Sequence, residues 1–128
     1  MIRNEDEITE IIVTHLQEKG FEIEKKTLGR KRGVDIKASK NGKSCFFENE
    51  GNKRPNQQPL RTNQKYTHLL RCVGQICLRM QDDGEYYIGL PEDKYYREHI
   101  QKLRKALTKL TVKIVWVQEN GMVKEEEP

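Results

Sequence analysis

Ile8, Ile11, Ile12 and Leu16 recur at the three- and four-residue intervals that place side chains on one face of a helix. The spacing predicts a helix over 5–18, with Asn4 as its N-cap and Gly20 as its stop. The period then changes to two. Residues 21–25 alternate as a short strand does, and a basic turn follows over 26–33. Asn41-Gly42 lies between two further alternating runs and is a strong hairpin signal, because both central positions of the tight turn need a positive φ. A two-residue turn sets the register: Lys40 faces Lys43, Ala38 faces Cys45, Ile36 faces Phe47, and Asp35 faces Glu48. Val34, Ile36, Ala38, Cys45 and Phe47 then share a core face, while Asp35, Lys37, Phe46, Glu48 and Glu50 share the other.

Residues 51–63 form a polar stretch with two prolines, long for a connection in a small domain and so a sign of function or disorder. A helix is predicted over 64–81, with Tyr66, Leu69, Leu70, Val73, Ile76, Cys77 and Met80 inward. His68, Arg71, Gln75 and Arg79 fall on its polar side. A strand over 85–91, a helix over 92–110 and a strand over 111–118 complete the pattern. The order α-β-β-β-α-β-α-β predicts one α/β domain over 1–118, a mixed central sheet flanked by helices, with a polar tail over 119–128.

Composition adds limits. Apolar and charged residues each make up 34% of the 128 residues, which suits a modest core under a well-solvated surface. No apolar run is long enough to cross a membrane. The first residues lack the basic start and apolar centre of a signal peptide, so the expected location is cytoplasmic. Cys45, Cys72 and Cys77 form no CxxC pair and no zinc spacing, and are read as reduced thiols. Cys72 and Cys77 fall in the helical pattern as small hydrophobes. The net charge of +4 permits a polyanionic partner without requiring one. Its distribution is more telling, for Arg30, Lys31 and Arg32 precede Gly33, and Lys53 and Arg54 follow the "ENE" stretch.

That stretch poses the chemical question. Like charges on facing strands destabilise a hairpin, and carboxylates brought together hold protons more tightly. A bound cation is the usual compensation, and carboxylates with a substrate phosphate are a typical environment for Mg²⁺. The plainer alternative is a solvated edge where Lys37 neutralises Glu48 and Glu50. Two features favour a site. The glutamates follow Phe46-Phe47 on a strand that enters the core, and Gly33 and Gly51 bracket the cluster, which suits close approach of backbone or ligand.

"GVDI" and, thirteen residues on from Asp35, "ENEG" resemble the motif of the PD-(D/E)XK nuclease superfamily, and the element order agrees over most of the chain. The resemblance implies a restriction endonuclease-like fold. Asp35 takes the place of the motif aspartate and Glu48 that of its glutamate, while Glu50 stands where lysine is usual, an ExE variant. It also implies Mg²⁺ or Mn²⁺ held by Asp35 and Glu48, with Glu7 or Glu10 of the first helix near the metal. Gln75 matches a glutamine often found on the helix after the catalytic strands.

The reading is therefore a metal-dependent endonuclease, with DNA the expected nucleic acid. Glu50 would act as base or ligand, and Arg30, Lys31, Arg32, Lys53, Arg54 and Arg61 would contact the phosphate backbone. The domain has no room for a separate recognition module, so specificity would come from the polar loop 51–63, from a homodimer or from a targeting partner protein. The alternative on the same fold is a non-catalytic nucleic-acid-binding or assembly subunit with a decayed site. A protein-interaction domain unrelated to nucleic acid is a third, weaker reading.

Overall fold

The computed structural model describes residues 2–29, 33–54, 56, 58–81 and 83–126. Six strands lie side by side in chain order: β1 (Glu22–Lys26), β2 (Ile36–Lys40), β3 (Lys43–Asn49), β4 (Glu85–Pro91), β5 (Val112–Val117) and β6 (Val123–Glu126). The pairs β1–β2, β2–β3 and β5–β6 are antiparallel; β3–β4 and β4–β5 are parallel. Parallel neighbours need a crossover. These are supplied by α2 (Thr62–Arg79) and α3 (Lys94–Leu110), which pack on one face of the sheet. The N-terminal α1 (Glu5–Glu18) packs on the other. This is the mixed α/β sheet flanked by helices that the element order predicts, with one further strand.

The local signals explain these elements. Asn4 accepts from the Glu7 N–H at 2.8 Å and Glu7 returns a bond to the Asn4 N–H at 3.1 Å, a reciprocal cap that fixes where α1 begins. Asn41 and Gly42 adopt φ of 53° and 77°, as the tight turn requires, and the Lys40–Lys43, Ala38–Cys45 and Ile36–Phe47 pairs form. Alternation along β3 sends Phe46 to the α2–α3 layer and Phe47 to the α1 layer. On β4 their partners Tyr86 and Tyr87 do the same, and the two aromatic pairs stack with centroids 5.2 and 4.5 Å apart. Period two then returns Glu48 to the α2–α3 side and Asn49 to the α1 side, where the Asn49 amide donates to Thr9 at 3.0 Å.

Four expectations change. Val34 lies ahead of β2, outside the alternation, and packs with Phe46 in the α2–α3 layer instead of beside Ile36. The inward stripe of α2 is Lys65, Leu69, Cys72 and Ile76, so Leu70 and Cys77 are exposed. Apolar residues occur on more of this helix than the sheet covers, and the stripe was too wide to set its rotation. The 51–61 loop folds back on itself, with Lys53 bridging to Pro59 and Leu60 buried. The stretch from 119, expected to be a tail, instead carries β6. Glu126 there accepts from the buried Trp116 indole, from Arg97 and from Arg104, each at 2.8 Å. These donors hold its carboxyl below the usual range against the opposing effect of burial.

Glu126→Ala removes the acceptor shared by these donors. It should cost about 2 kcal/mol in urea unfolding, as expected for charged hydrogen bonds near a buried N–H. A solvated tail would leave the midpoint unchanged.

Candidate active site

The end of β3 is fixed by backbone. The Glu50 N–H donates to the Gly89 carbonyl of β4 at 3.0 Å, and the Tyr96 hydroxyl of α3 donates to the Gly51 carbonyl at 2.7 Å. Gly51 then passes the start of α1 so closely that an added Cβ would lie 2.5 Å from the Arg3 carbonyl oxygen. Asn52 seals the contact, since its N–H donates to the Arg3 carbonyl and its side chain accepts from the Arg3 N–H, both at 2.8 Å. The first residue of α1, Glu5, is thereby placed beside the carboxyls of the hairpin.

Asp35, Glu48 and Glu50 are buried, at 8, 1 and 7% exposure. The strand ladder stops at Ile36–Phe47, and the Asp35 carboxyl accepts from the Asn49 N–H at 2.7 Å. The carboxyls of Glu5 and Glu48 lie near enough to Asp35 for each to act on the others' charge. Burial, and then neighbouring negative charge, push Glu5, Asp35 and Glu48 each up to about 7. Glu48 is also engaged by Arg79 of α2, whose Nε donates to its Oε1 at 2.6 Å. Glu50 faces α2 as well, with His68 Nδ1 at 3.3 Å and the Cys72 thiol at 3.8 Å.

The three motif carboxylates thus meet, and the first-helix member of the group is Glu5. Glu7 is turned to Asn4 and Lys53, and its carboxyl is held low by the Asn4 N–H. Glu10 pairs with Lys26 at 2.7 Å. One-turn spacing pointed to these two; the informative residue was Gly51, whose backbone contact selects the very start of the helix. Gln75 is exposed and lies on the helical stripe that includes His68, Cys72 and Arg79. His68, Gln75 and Arg79 were legible as polar positions and Cys72 was read as a small hydrophobe; their contacts with Glu48 and Glu50 were not legible.

A cleft of about 180 Å³ opens beside the cluster, lined by Glu5, Glu50, His68, Lys53 and Arg54 among others. Carboxylates and cations therefore share one opening. Arg61 is exposed at the start of α2. Arg30, Lys31 and Arg32 lie outside the described residues; Gly29, just before them, lines the cleft and donates to Asp6 at 3.0 Å.

The donor set is all carboxylate oxygen with raised proton affinity, which suits a hard divalent cation. Among the described residues, no three Asp, Glu, His or Cys side chains converge as a ready-made metal site. In this arrangement the raised proton affinity of Glu5, Asp35 and Glu48 and the pairing of Glu48 with Arg79 both lessen the negative charge.

Two consequences can be measured. The folded protein binds more protons than the unfolded chain between the ordinary carboxylate range and about 7. Stability from this cluster is therefore full below that range and is lost as pH rises through 7. Melting temperature should fall by about 5 °C between about pH 5 and about pH 8, equivalent to about 1 kcal/mol, and Asp35→Asn should flatten the fall. Gly51→Ala should cost about 1–3 kcal/mol through overpacking against the α1 backbone, measured by denaturant unfolding; an unchanged midpoint would mean the contact is not tight.

No family model matches the chain, and no curated protein sequence does. Solved structures do match. One is an FdxN element excision controlling factor protein from Anabaena variabilis, 17% identical, with a TM-score of 0.64 over 95% of this chain and 98% of that one. Another is an XisH family protein from Nostoc punctiforme, 16% identical, with a TM-score of 0.63 over 94% and 98%. At these identities the likeness establishes a shared fold.

Proposed function

We propose that the protein is a metal-dependent endonuclease acting on DNA. The observation that carries this reading is the meeting of buried Asp35, Glu48 and Glu50 with half-buried Glu5, beside a cleft that also presents Lys53 and Arg54. Asp35 and Glu48 would hold Mg²⁺ or Mn²⁺, with Glu5 as a further oxygen donor in place of Glu7 or Glu10. Bound there, the cation would polarise the phosphate and acidify a water. Glu50 takes a proton from the attacking water, and His68, half-buried against it, passes that proton toward solvent. Lys53 and Arg54 hold the backbone on either side of the scissile bond, with Arg61 and the basic residues at 30–32 extending the track. A second copy or a targeting protein would supply the second cut or the sequence choice.

A second reading has its own support. Glu50 replaces the lysine of the resembled motif, and Arg79 already neutralises Glu48. Two proteins of the same fold are called, respectively, an excision controlling factor and an XisH family protein. On this reading the chain binds DNA within an excision or rearrangement assembly and does not cut it.

Calorimetry and a cleavage assay on supercoiled and linear DNA separate the two. Wild type should take up Mg²⁺ and nick DNA. Glu48→Ala should lose both properties. Glu50→Gln should keep the metal and lose cleavage by about 100-fold or more, as for loss of a general base. No uptake of Mg²⁺ or Mn²⁺, with or without DNA, would overturn the nuclease; uptake without cleavage would favour the assembly role.

A further inference from the structure

Arg79 is not accounted for by the resembled motif or by the carboxyl cluster. It sits at the last turn of α2, about two turns beyond Cys72 and three beyond His68, the residues that meet Glu50. Its Nε donates to Glu48 Oε1 at 2.6 Å, and its main-chain carbonyl accepts from the Tyr86 hydroxyl at 2.7 Å. Tyr86 belongs to β4 and stacks on Phe46, two residues before Glu48. The arginine's backbone is thus anchored to the strands that carry the carboxylate. Its side chain differs from its partner in one respect: the Glu48 side chain is 2% exposed and that of Arg79 is 31% exposed. One end of the ion pair is fixed in the core, and the other reaches solvent.

This asymmetry allows exchange. A guanidinium stays charged at all working pH and bonds phosphate as well as carboxylate. A divalent cation placed on Asp35 and Glu48 competes for the same Glu48 oxygen that Arg79 holds. No three ligating groups converge among the described residues, in keeping with Glu48 being turned to the arginine. Resting on the metal-dependent reading above, we propose that Arg79 is an exchangeable counter-ion. It holds Glu48 while the site is without metal, is released when a divalent cation takes the carboxylate, and then binds a phosphate of the DNA. Arg79 is thereby a positioning residue that couples metal uptake to nucleic-acid binding. Metal uptake frees the guanidinium for phosphate, and phosphate in turn draws it from Glu48.

The test uses two readouts that do not depend on cleavage. In the wild-type protein the Arg79 Nε–H resonance, assigned by its loss in Arg79→Lys, should be shifted by the carboxylate bond without metal and should move to the position of exposed arginines on saturation with Mg²⁺. By calorimetry, Arg79→Gln should bind Mg²⁺ about tenfold more tightly than wild type, since a charged competitor has gone. With Ca²⁺ present to hold a short duplex without cutting it, the same variant should bind the duplex more weakly. Arg71→Gln, an exposed change on the same helix, should alter neither affinity. If both proteins bind Mg²⁺ equally, or the Nε–H resonance does not move on saturation, the exchange is wrong and the metal site stands. If neither protein takes up Mg²⁺, the metal-dependent reading falls and the exchange with it. Should Arg79→Gln fail to fold, the wild-type resonance decides alone.

Discussion

The site depends on a contact between two stretches of backbone. Gly51, just after β3, runs so close to the start of α1 that no side chain fits between them, and Asn52 and Tyr96 hold it there. Without that approach, the two layers on opposite faces of the sheet would not meet at its end. With it, a glutamate from the first layer stands beside three carboxyls that belong to the second. The electrostatic cost falls on the same point. Buried carboxyls held together raise each other's proton affinity, and one arginine offsets part of the charge.

The arrangement around the cluster is polarised along α2. Toward its first half, His68 and Cys72 meet Glu50, and at its last turn Arg79 meets Glu48. These contacts lie one to three helical turns apart, so a single rigid element addresses both glutamates. β3 does the complementary work. Residues two apart return to the same face, so Phe46, Glu48 and Glu50 point toward the helix layer, the first of them into the apolar core and the others toward its edge. Aromatic packing and ionic chemistry are thus successive stations on one strand.

Sequence patterns made much of this legible where a local rule governs. Asn4 and Gly20 bounded α1, and Asn41-Gly42 gave the hairpin register, because caps and tight turns are decided within a few residues. The face of Glu48 followed from that register, whereas Asp35 lies beyond the ladder and is held by the Asn49 N–H. What was not legible depended on distant partners. The rotation of α2 is set by the sheet beneath it, so Leu70 and Cys77 could not be told from Leu69 and Cys72 by spacing alone. Glu5 is chosen by Gly51, 46 residues further along the chain. β6 has a charged sequence, and its membership in the sheet rests on Trp116, Arg97 and Arg104, which its own composition does not announce.

Strands laid in chain order leave two free rims, and an open rim invites another chain to extend the sheet. Here both rims discourage this. β1 is interrupted by an irregularity between Ile23 and Lys25 and ends in two lysines. β6 is four residues long and carries Lys124, Glu125 and Glu126. In a symmetric antiparallel pairing of β6 with its own copy, a residue must face itself, so a pairing centred on Lys124, Glu125 or Glu126 would set like charges against each other. The open sheet is therefore guarded against growth into fibres by the chemistry of its borders, and self-association has to find another surface.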